Sequence, residues 1–556
     1  MRRKNINFDF LRKQVKILTL FVTFCFSTYS LEFLSSNGEN YFYYNNSKST
    51  IEKVNLDLEK NSIEIDYMKF GFFIDGKQYE IGEKDYKLEK LEESNILELT
   101  GEFDGVTYVI EMFSSVLQKS NIIFNVKLGN VDNKKDIQFY TYIKPRSMGK
   151  LTKNDKNYKY NSFNFGTRNK LEKVYLTDDT KAKEKKLKIF AEDSLVKANE
   201  GIFLISTVDL QKPEIEIWFS KNKEYVESLN SEKEYWNKLL GKEKQKKLYS
   251  ILLMFKRNKL LVDISGETPL ISMEEVLKYL ELTLMNKNYS EAKSILEYLI
   301  FETDNIEGII PSDYLSLNGK EVYKKDNYGI YNSYYRKSVF LKLYLKYLTD
   351  SKDEEFYAES FEKVKGKLID LLESKVSEMG MEKDSGNGRI GADGYERFIE
   401  TQYETYKAFE ILDEFYRSKN IKEDKYGRIS EDLKELIILY YIDNINVADY
   451  PFSKSVNPKN IFYVNEELFF SENDYYYALQ KNIELLKNEN SSLNEKVTFV
   501  NYLYDKKYYL MAQAMSKDIE NNLEGDKGIE ILQKDLSLLI NYLIMKEKGE
   551  VNGVNE

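Results

Sequence analysis

The hydrophobic period of the chain changes once. From Leu31 to Phe219 apolar and polar residues alternate, in segments such as SIEIDY, NILELTGEF, GVTYVIEMF, DIQFYTYIK and EIEIWFS, separated by Gly, Asn, Asp and Lys clusters. Alternation puts every second side chain on one face of a strand, so this region predicts an all-β fold of short strands with one face of each buried. The architecture expected is an antiparallel β-sandwich over 31–220. The Lys-rich stretch Lys150–Lys186 interrupts the alternation and is expected to be a long irregular insertion.

Near Lys221 the period becomes 3.6. KEYVESLNSEKEYWNKLLG predicts a linking helix within 221–246, and amphipathic helices follow over 247–548. They are expected near 247–261, 272–286, 289–303, 333–350, 355–378, 396–417, 430–445, 475–488, 493–505, 507–521 and 528–547, with 549–556 as a disordered tail. Each carries a broad apolar stripe, and most pair through short and long connections in alternation. No repeat of short fixed period appears, so stacked hairpins closing into an (α/α)6 toroid fit the pattern, with an open solenoid as the other arrangement. The fold class is thus multidomain, β followed by α.

Residues 1–30 change the picture of location. Arg2, Arg3, Lys4, Arg12, Lys13 and Lys16 precede the apolar run Ile17–Phe26, and Ser27-Thr28-Tyr29-Ser30 offers small residues for cleavage. This is the pattern of a signal peptide, and the run is short for a bilayer span. A secreted or periplasmic protein with no membrane association after cleavage is expected; an uncleaved anchor is the alternative. Loss of this segment removes a net +5, taking the formal charge from −10 to about −15. Such a surface is a poor partner for nucleic acid.

Composition narrows the chemistry. The 556 residues include no histidine and one cysteine, Cys25, which lies inside the signal segment. Ser-His-Asp and Cys-His nucleophile systems, His-based metal sites and Cys-held clusters are therefore excluded, and no cofactor or metal is expected. Acid–base work falls to carboxylates, Lys or Tyr. The 45 tyrosines suit wet clefts and carbohydrate faces, and they equally suit a genome-wide codon bias.

One stretch looks built for chemistry. Asp384–Phe398, DSGNGRIGADGYERF, interrupts two helical patterns with Gly386, Gly388, Gly391 and Gly394, which let backbone bend sharply and approach a ligand. Asp393 and Glu396 set carboxylates beside Tyr395. Its GNGRIG string follows a helical pattern instead of a strand and lies in no βαβ unit, which excludes dinucleotide binding. DNYGIYNSYY, Asp326–Tyr335, is an aromatic loop in which Tyr328, Tyr331 and Tyr335 are candidates for stacking on a sugar or for filling the mouth of the helical domain.

A β-sandwich, a helical linker and about a dozen helices resemble the six-hairpin glycosidases, in particular the glucoamylase-like family 15 glycoside hydrolases. Tyr334–Ser374 is similar to a helix pair of that family. DSGNGRIGADGYERF is similar to the loop carrying its Asp-x-Trp-Glu-Glu motif, with Asp393, Tyr395, Glu396 and Arg397 on those positions. The resemblance implies inverting hydrolysis of an α-linked glucoside or oligosaccharide, with Glu396 as general acid. It implies a second carboxylate late in the chain, for which Glu524 is the candidate and Glu472 the rival. Substrate contacts are expected from Asp393, Tyr395, Arg397, Tyr328, Tyr331, Tyr335 and Arg336. The family's Trp-x-Arg-Asp motif is absent from SGETPLISMEEVLKYLELTL, and Tyr334, Tyr335 and Arg336 replace its Arg-Asp-Gly or Gln-x-Asp-Gly step. A non-catalytic glycan-binding or envelope protein on the same scaffold, or an (α/α)6 phosphorylase or lyase, are the other functions expected of such a chain. The oligomeric state is left open.

Overall fold

The computed structural model describes residues 32–220, 229–240, 245–303, 314–322, 333–381, 399–437 and 491–552, apart from 59–62, 83–85, 92, 118–120, 133, 155–156, 162, 168–170, 178–187, 190–193, 258, 265–268 and 524. The chain forms two compact units, one drawn mainly from the residues up to Glu234 and one from Tyr235 onward.

The first unit holds two nine-stranded sheets. One runs in the order Glu32–Ser36, Tyr41–Asn45, Thr50–Asn55, Ile63–Ile74, Ile137–Pro145, Gly201–Thr207, Leu171–Thr177, Lys188–Ile189, with Lys77–Glu80 beside Ile63–Ile74. The other runs Ser194–Val196, Gly149–Asn154, Asn157–Tyr160, Phe163–Thr167, Glu214–Ser220, Asn121–Gly129, Val106–Ser114, Leu97–Phe103, Tyr86–Lys90. The pairings are antiparallel, as in Phe139 opposite Phe72 and Ile110 opposite Leu99. Two hairpins turn at Asp75-Gly76 and Asp104-Gly105, with φ of 50° and 78° and of 51° and 78°. Positive φ at both central positions matches the right-handed strand twist, and Gly takes the second at no steric cost.

The inward faces meet as a sandwich. Phe42 and Phe70 of the first sheet lie 5.8 and 5.3 Å, ring to ring, from Phe124 of the second, and Phe72 lies 5.4 Å from Tyr108. In Leu97–Phe103 the apolar Leu97, Leu99 and Phe103 are buried while Glu98 and Thr100 are half-buried, as the alternation requires. The Lys150–Lys186 stretch corrects the expectation of an irregular insertion, because Gly149–Asn154 runs into it and three further strands begin there. Tyr158, Tyr160, Phe163 and Phe165 are buried in the common core while Lys159 is exposed. Lysines on the solvent face mask an alternation carried by aromatics.

The second unit is helical. Helix α1, Leu229–Leu240, begins in the first unit and ends in this one. It is followed by α2 (Lys246–Met254), α3 (Met273–Met285), α4 (Tyr289–Glu297, prolonged by a π turn to Glu302), α5 (Ser333–Ser351), α6 (Glu354–Val364) and α7 (Asp370–Met381). Then come α8 (Ile399–Ser418), α9 (Lys425–Ile437), α10 (Leu493–Asp505), α11 (Tyr509–Leu523), α12 (Gly525–Lys534) and α13 (Leu536–Asn552). Helix α13 runs to Asn552, into the 549–556 stretch expected as a disordered tail, and the helix expected over 475–488 lies outside the described residues. Two more helices differ from the sequence expectation. The helix expected to reach 261 stops at Met254, and Lys256–Arg257 pairs with Leu260–Leu261 as a short hairpin. The helix expected over 528–547 is two helices, because Asp535 accepts a bond from Leu538 N at 2.8 Å and caps a new start.

Five helices pack in succession, α10 on α13, α13 on α3, α3 on α5 and α5 on α8. Three of them run the same way. Lys278 of α3 and Asn494 of α10 both donate to Ser537 Oγ at the start of α13, at 3.1 and 3.3 Å. At the far ends Lys548 of α13 donates to Asp505 of α10 at 2.8 Å and lies 3.8 Å from Glu281 of α3. Parallel neighbours require the chain to return between them, and α11 and α12 make that return between α10 and α13. Asp353 ties three more helices: it caps α6 through Phe356 N at 3.0 Å and accepts from Lys293 of α4 and Tyr347 of α5, each at 2.9 Å. The Phe356 bond first, and these two partners after it, hold its carboxyl below the usual carboxylate range.

Candidate functional site

A cavity of about 340 Å³ opens among α3, α5, α10 and α13. That is near the small end of the ~300–1,000 Å³ of ligand pockets. Helical spacing builds its walls. On α3 the lining positions Glu274, Leu277, Lys278 and Glu281 recur at three and four residues, and on α10 Asn494, Thr498, Asn501 and Asp505 do the same. Helix α13 adds Asn541, Ile544 and Lys548, and the first two turns of α5 add Tyr335, Arg336 and Val339.

The charges on these walls are compensated from within. Lys278 donates to Glu274 at 2.8 Å, and Lys548 is held between Asp505 and Glu281. Glu495 is engaged in a capping box: its carboxylate accepts from Ser492 N at 2.9 Å while Ser492 Oγ accepts from Glu495 N at 3.2 Å. The rest of the surface is made of amides, hydroxyls, the buried Arg336 and two tyrosines, half-buried Tyr335 and buried Tyr502. A polar cavity with aromatic faces suits a ligand rich in hydroxyl groups.

The amides are organised. Asn541 Nδ2 donates to Asn494 Oδ1 at 2.7 Å and to Thr498 Oγ1 at 3.4 Å, Thr498 Oγ1 donates to Asn494 O at 2.8 Å, and Asn501 Nδ2 donates to Asn541 O at 2.9 Å. These bonds lock the facing sides of α10 and α13. A second polar seam joins α5 to α8, where Ser338 Oγ and Thr405 Oγ1 lie 2.9 Å apart and Lys342 pairs with Glu404.

One position along from Glu274, Glu275 is a different kind of acid. Burial, then the nearby charge of Asp263, push its carboxyl up to about 7, against a bond from Ser272. Its Oε2 accepts no hydrogen bond among the described residues. Glu275 does not line the cavity.

Of the residues expected from sequence to form a site, Tyr335 and Arg336 are brought to the cavity, Arg336 being buried. Glu396, Glu524, Asp393, Tyr395, Arg397, Tyr328, Tyr331 and Glu472 lie outside the described residues. The described chain resumes at Ile399, three positions after Glu396, to form α8. Sequence reasoning missed Lys278, Asn494, Asn501, Asn541 and Lys548. A signal for one of them existed: Asn541 sits inside LSLLINYLIM, where a buried amide in an apolar run asks for a partner. Among the described residues no group of three or more acidic side chains is placed to hold a metal ion.

No family model matches the chain, and no curated protein matches it in sequence. Solved structures do match it in fold. A protein assigned as a kojibiose phosphorylase from the human microbiome superposes with a TM-score of 0.50 at 11% identity, over 93% of this chain and 86% of its own. A bacterial glucoamylase complexed with acarbose superposes at 0.49 with 13% identity, over 73% of this chain and 67% of its own. A family GH92 inverting mannosidase from Bacteroides thetaiotaomicron superposes at 0.41 with 11% identity, over 92% and 82%. The chain shares its fold with the first of these, the structure assigned as a kojibiose phosphorylase. At these identities the fold is what is shared.

Proposed function

We propose that this chain is an exported glucoamylase-like glycoside hydrolase that cleaves an α-linked glucoside or oligosaccharide with inversion. The observation that carries the reading is the polar cavity among α3, α5, α10 and α13, with Tyr335 and Arg336 on its wall. In this reading the helices close as an (α/α)6 toroid. Glu396 protonates the glycosidic oxygen, and Glu524, or its rival Glu472, activates water on the opposite face, about 6.5–9.5 Å away. Asp393, Tyr395, Arg397, Tyr328 and Tyr331 join Tyr335 and Arg336 in holding the sugar. Residues 1–30 direct export to the periplasm or medium.

Of the three cations on the cavity wall, Lys278 and Lys548 are paired with carboxylates, and the third is Arg336, so charge alone does not separate hydrolysis from phosphorolysis. The test is turnover of a panel of α-glucosides by the full chain and by Glu396→Gln. Loss of a general acid costs ~10²–10⁴-fold, and that loss with an unchanged circular dichroism spectrum is the expected result. Unchanged turnover removes Glu396 from the mechanism. Turnover that depends on phosphate moves the chain to the phosphorylases, and glycan binding without turnover makes it a binding protein.

A further inference from the structure

We propose that Glu281 is a ligand-binding residue of the cavity, its carboxylate accepting hydrogen bonds from hydroxyl groups of a bound sugar. The inference rests on the carbohydrate reading of the cavity and goes beyond it in naming a contact and its direction. The cavity wall carries four carboxylates, Glu274, Glu281, Glu495 and Asp505, and three cations, Lys278, Arg336 and Lys548. Three of the four acids are engaged by the protein itself. Glu274 accepts from Lys278 at 2.8 Å, Asp505 accepts from Lys548 at 2.8 Å, and Glu495 accepts from Ser492 N at 2.9 Å in the capping box. Lys278 and Lys548 are taken by those bonds, and Arg336 is buried with contacts of its own.

Glu281 is the exception. Among the described residues its carboxylate accepts no hydrogen bond, and its one ion pair, with Lys548, spans 3.8 Å, beyond hydrogen-bond range. The side chain is 41% exposed, so water reaches it, and a ligand in the cavity can do so as well. Its direction follows from Lys548. That ammonium is approached from α3 by Glu281 and from α10 by Asp505, and all three residues line the cavity, so the carboxylate is turned toward the space between these helices.

The chemistry of the partner follows from the charges around it. An ionised carboxylate only accepts, through two oxygens with about four lone-pair sites, and a pair as long as 3.8 Å opposes its charge without occupying those sites. A sugar hydroxyl is a donor of the right kind, and it bonds to a charged acceptor more strongly than to a neutral one. A ligand ammonium at this point meets the repulsion of Lys548, and a ligand anion meets that of Glu281 and Asp505. Tyr502, one turn before Asp505 on α10, lines the same end of the cavity.

The experiment is calorimetric titration of thio-linked maltose, kojibiose and isomaltose, which resist hydrolysis, into the full chain and into Glu281→Ala and Glu281→Gln. The thermal midpoint of each protein is measured alongside. The expected result is at least tenfold weaker binding by Glu281→Ala and a smaller loss by Glu281→Gln, with midpoints close to that of the wild type, since an exposed pair of this length adds little to stability. Lowered midpoints with affinity intact make Glu281 a structural partner of Lys548 and overturn the inference while the carbohydrate reading stands. A wild-type chain that binds none of the three sugars overturns both. Should affinity and midpoint fall together, monodeoxy versions of the bound sugar are titrated into the wild type and a folded variant. Removing the hydroxyl that Glu281 holds must then weaken binding to the wild type at least tenfold and to the variant clearly less; equal losses in both proteins for every hydroxyl overturn the inference.

Discussion

Glu275 is half-buried and Glu232 fully buried, and the two carboxyls have different surroundings. Glu275, at the third position of α3, is pushed up to about 7 by burial first and by Asp263 next. In the unfolded chain the same group titrates near its model value of 4.5. Between those two values the folded chain holds a proton that the unfolded chain has released, so stability falls as pH rises through that window and stays low above it. The full effect is on the order of 3 kcal/mol. Glu275→Gln keeps the shape and removes the titration. Urea denaturation should find the variant more stable than the parent at about pH 8 and equal to it at about pH 4, by the same linkage. An equal effect at both values would mean that Glu275 does not titrate in this window. Glu232 has the opposite surroundings: 2% exposed, it accepts from Ser115 Oγ at 2.9 Å and from Val116 N at 2.7 Å.

At the scale of elements, those bonds fasten the start of α1 to the 115–117 segment of the sandwich unit, and Lys233 adds a 2.7 Å pair to buried Glu111. Glu232→Ala would leave buried donors without their charged acceptor, a loss of ~1.5–3 kcal/mol. Chemical denaturation followed through the sandwich unit should show that loss, and Lys233→Ala, whose partner Glu111 keeps Lys127 at 3.1 Å, should cost clearly less. The reverse ranking would make the Lys233 pair the fastening. Elements of this kind differ in how far the sequence discloses them. α10 was legible to the residue, Leu493–Asp505, because Ser492 and Glu495 spell a capping box before an apolar run. The strands inside Lys150–Lys186 were hidden because lysines occupy the outward positions and weaken the alternation. The break at Asp535 was hidden because an apolar stripe continues across it, and only the cap bond to Leu538 reveals a new helix.

At the scale of the molecule, the order sandwich then helices was written in the change of period near Lys221, and the fold is shared with a solved structure assigned as a kojibiose phosphorylase. The cavity was legible only in part. Tyr335 and Arg336 could be named because Tyr335 ends an aromatic stretch that runs into a long helical pattern, and both stand where the resembled family has its Arg-Asp-Gly step. Asn494, Asn501 and Asn541 could not, since an amide on α10 acquires its meaning only when α13, some forty residues later, returns parallel beside it. Sequence spacing within one helix is visible; pairing between parallel helices is a property of the fold. The account stands on a sugar occupying the space among α3, α5, α10 and α13. The most direct measurement is a crystal structure of the Glu396→Gln chain soaked with maltotriose. A glucose unit in that cavity, with a ring near Tyr335 or Tyr502, is the predicted result. Maltotriose bound only on the sandwich unit, or nowhere, would contradict it.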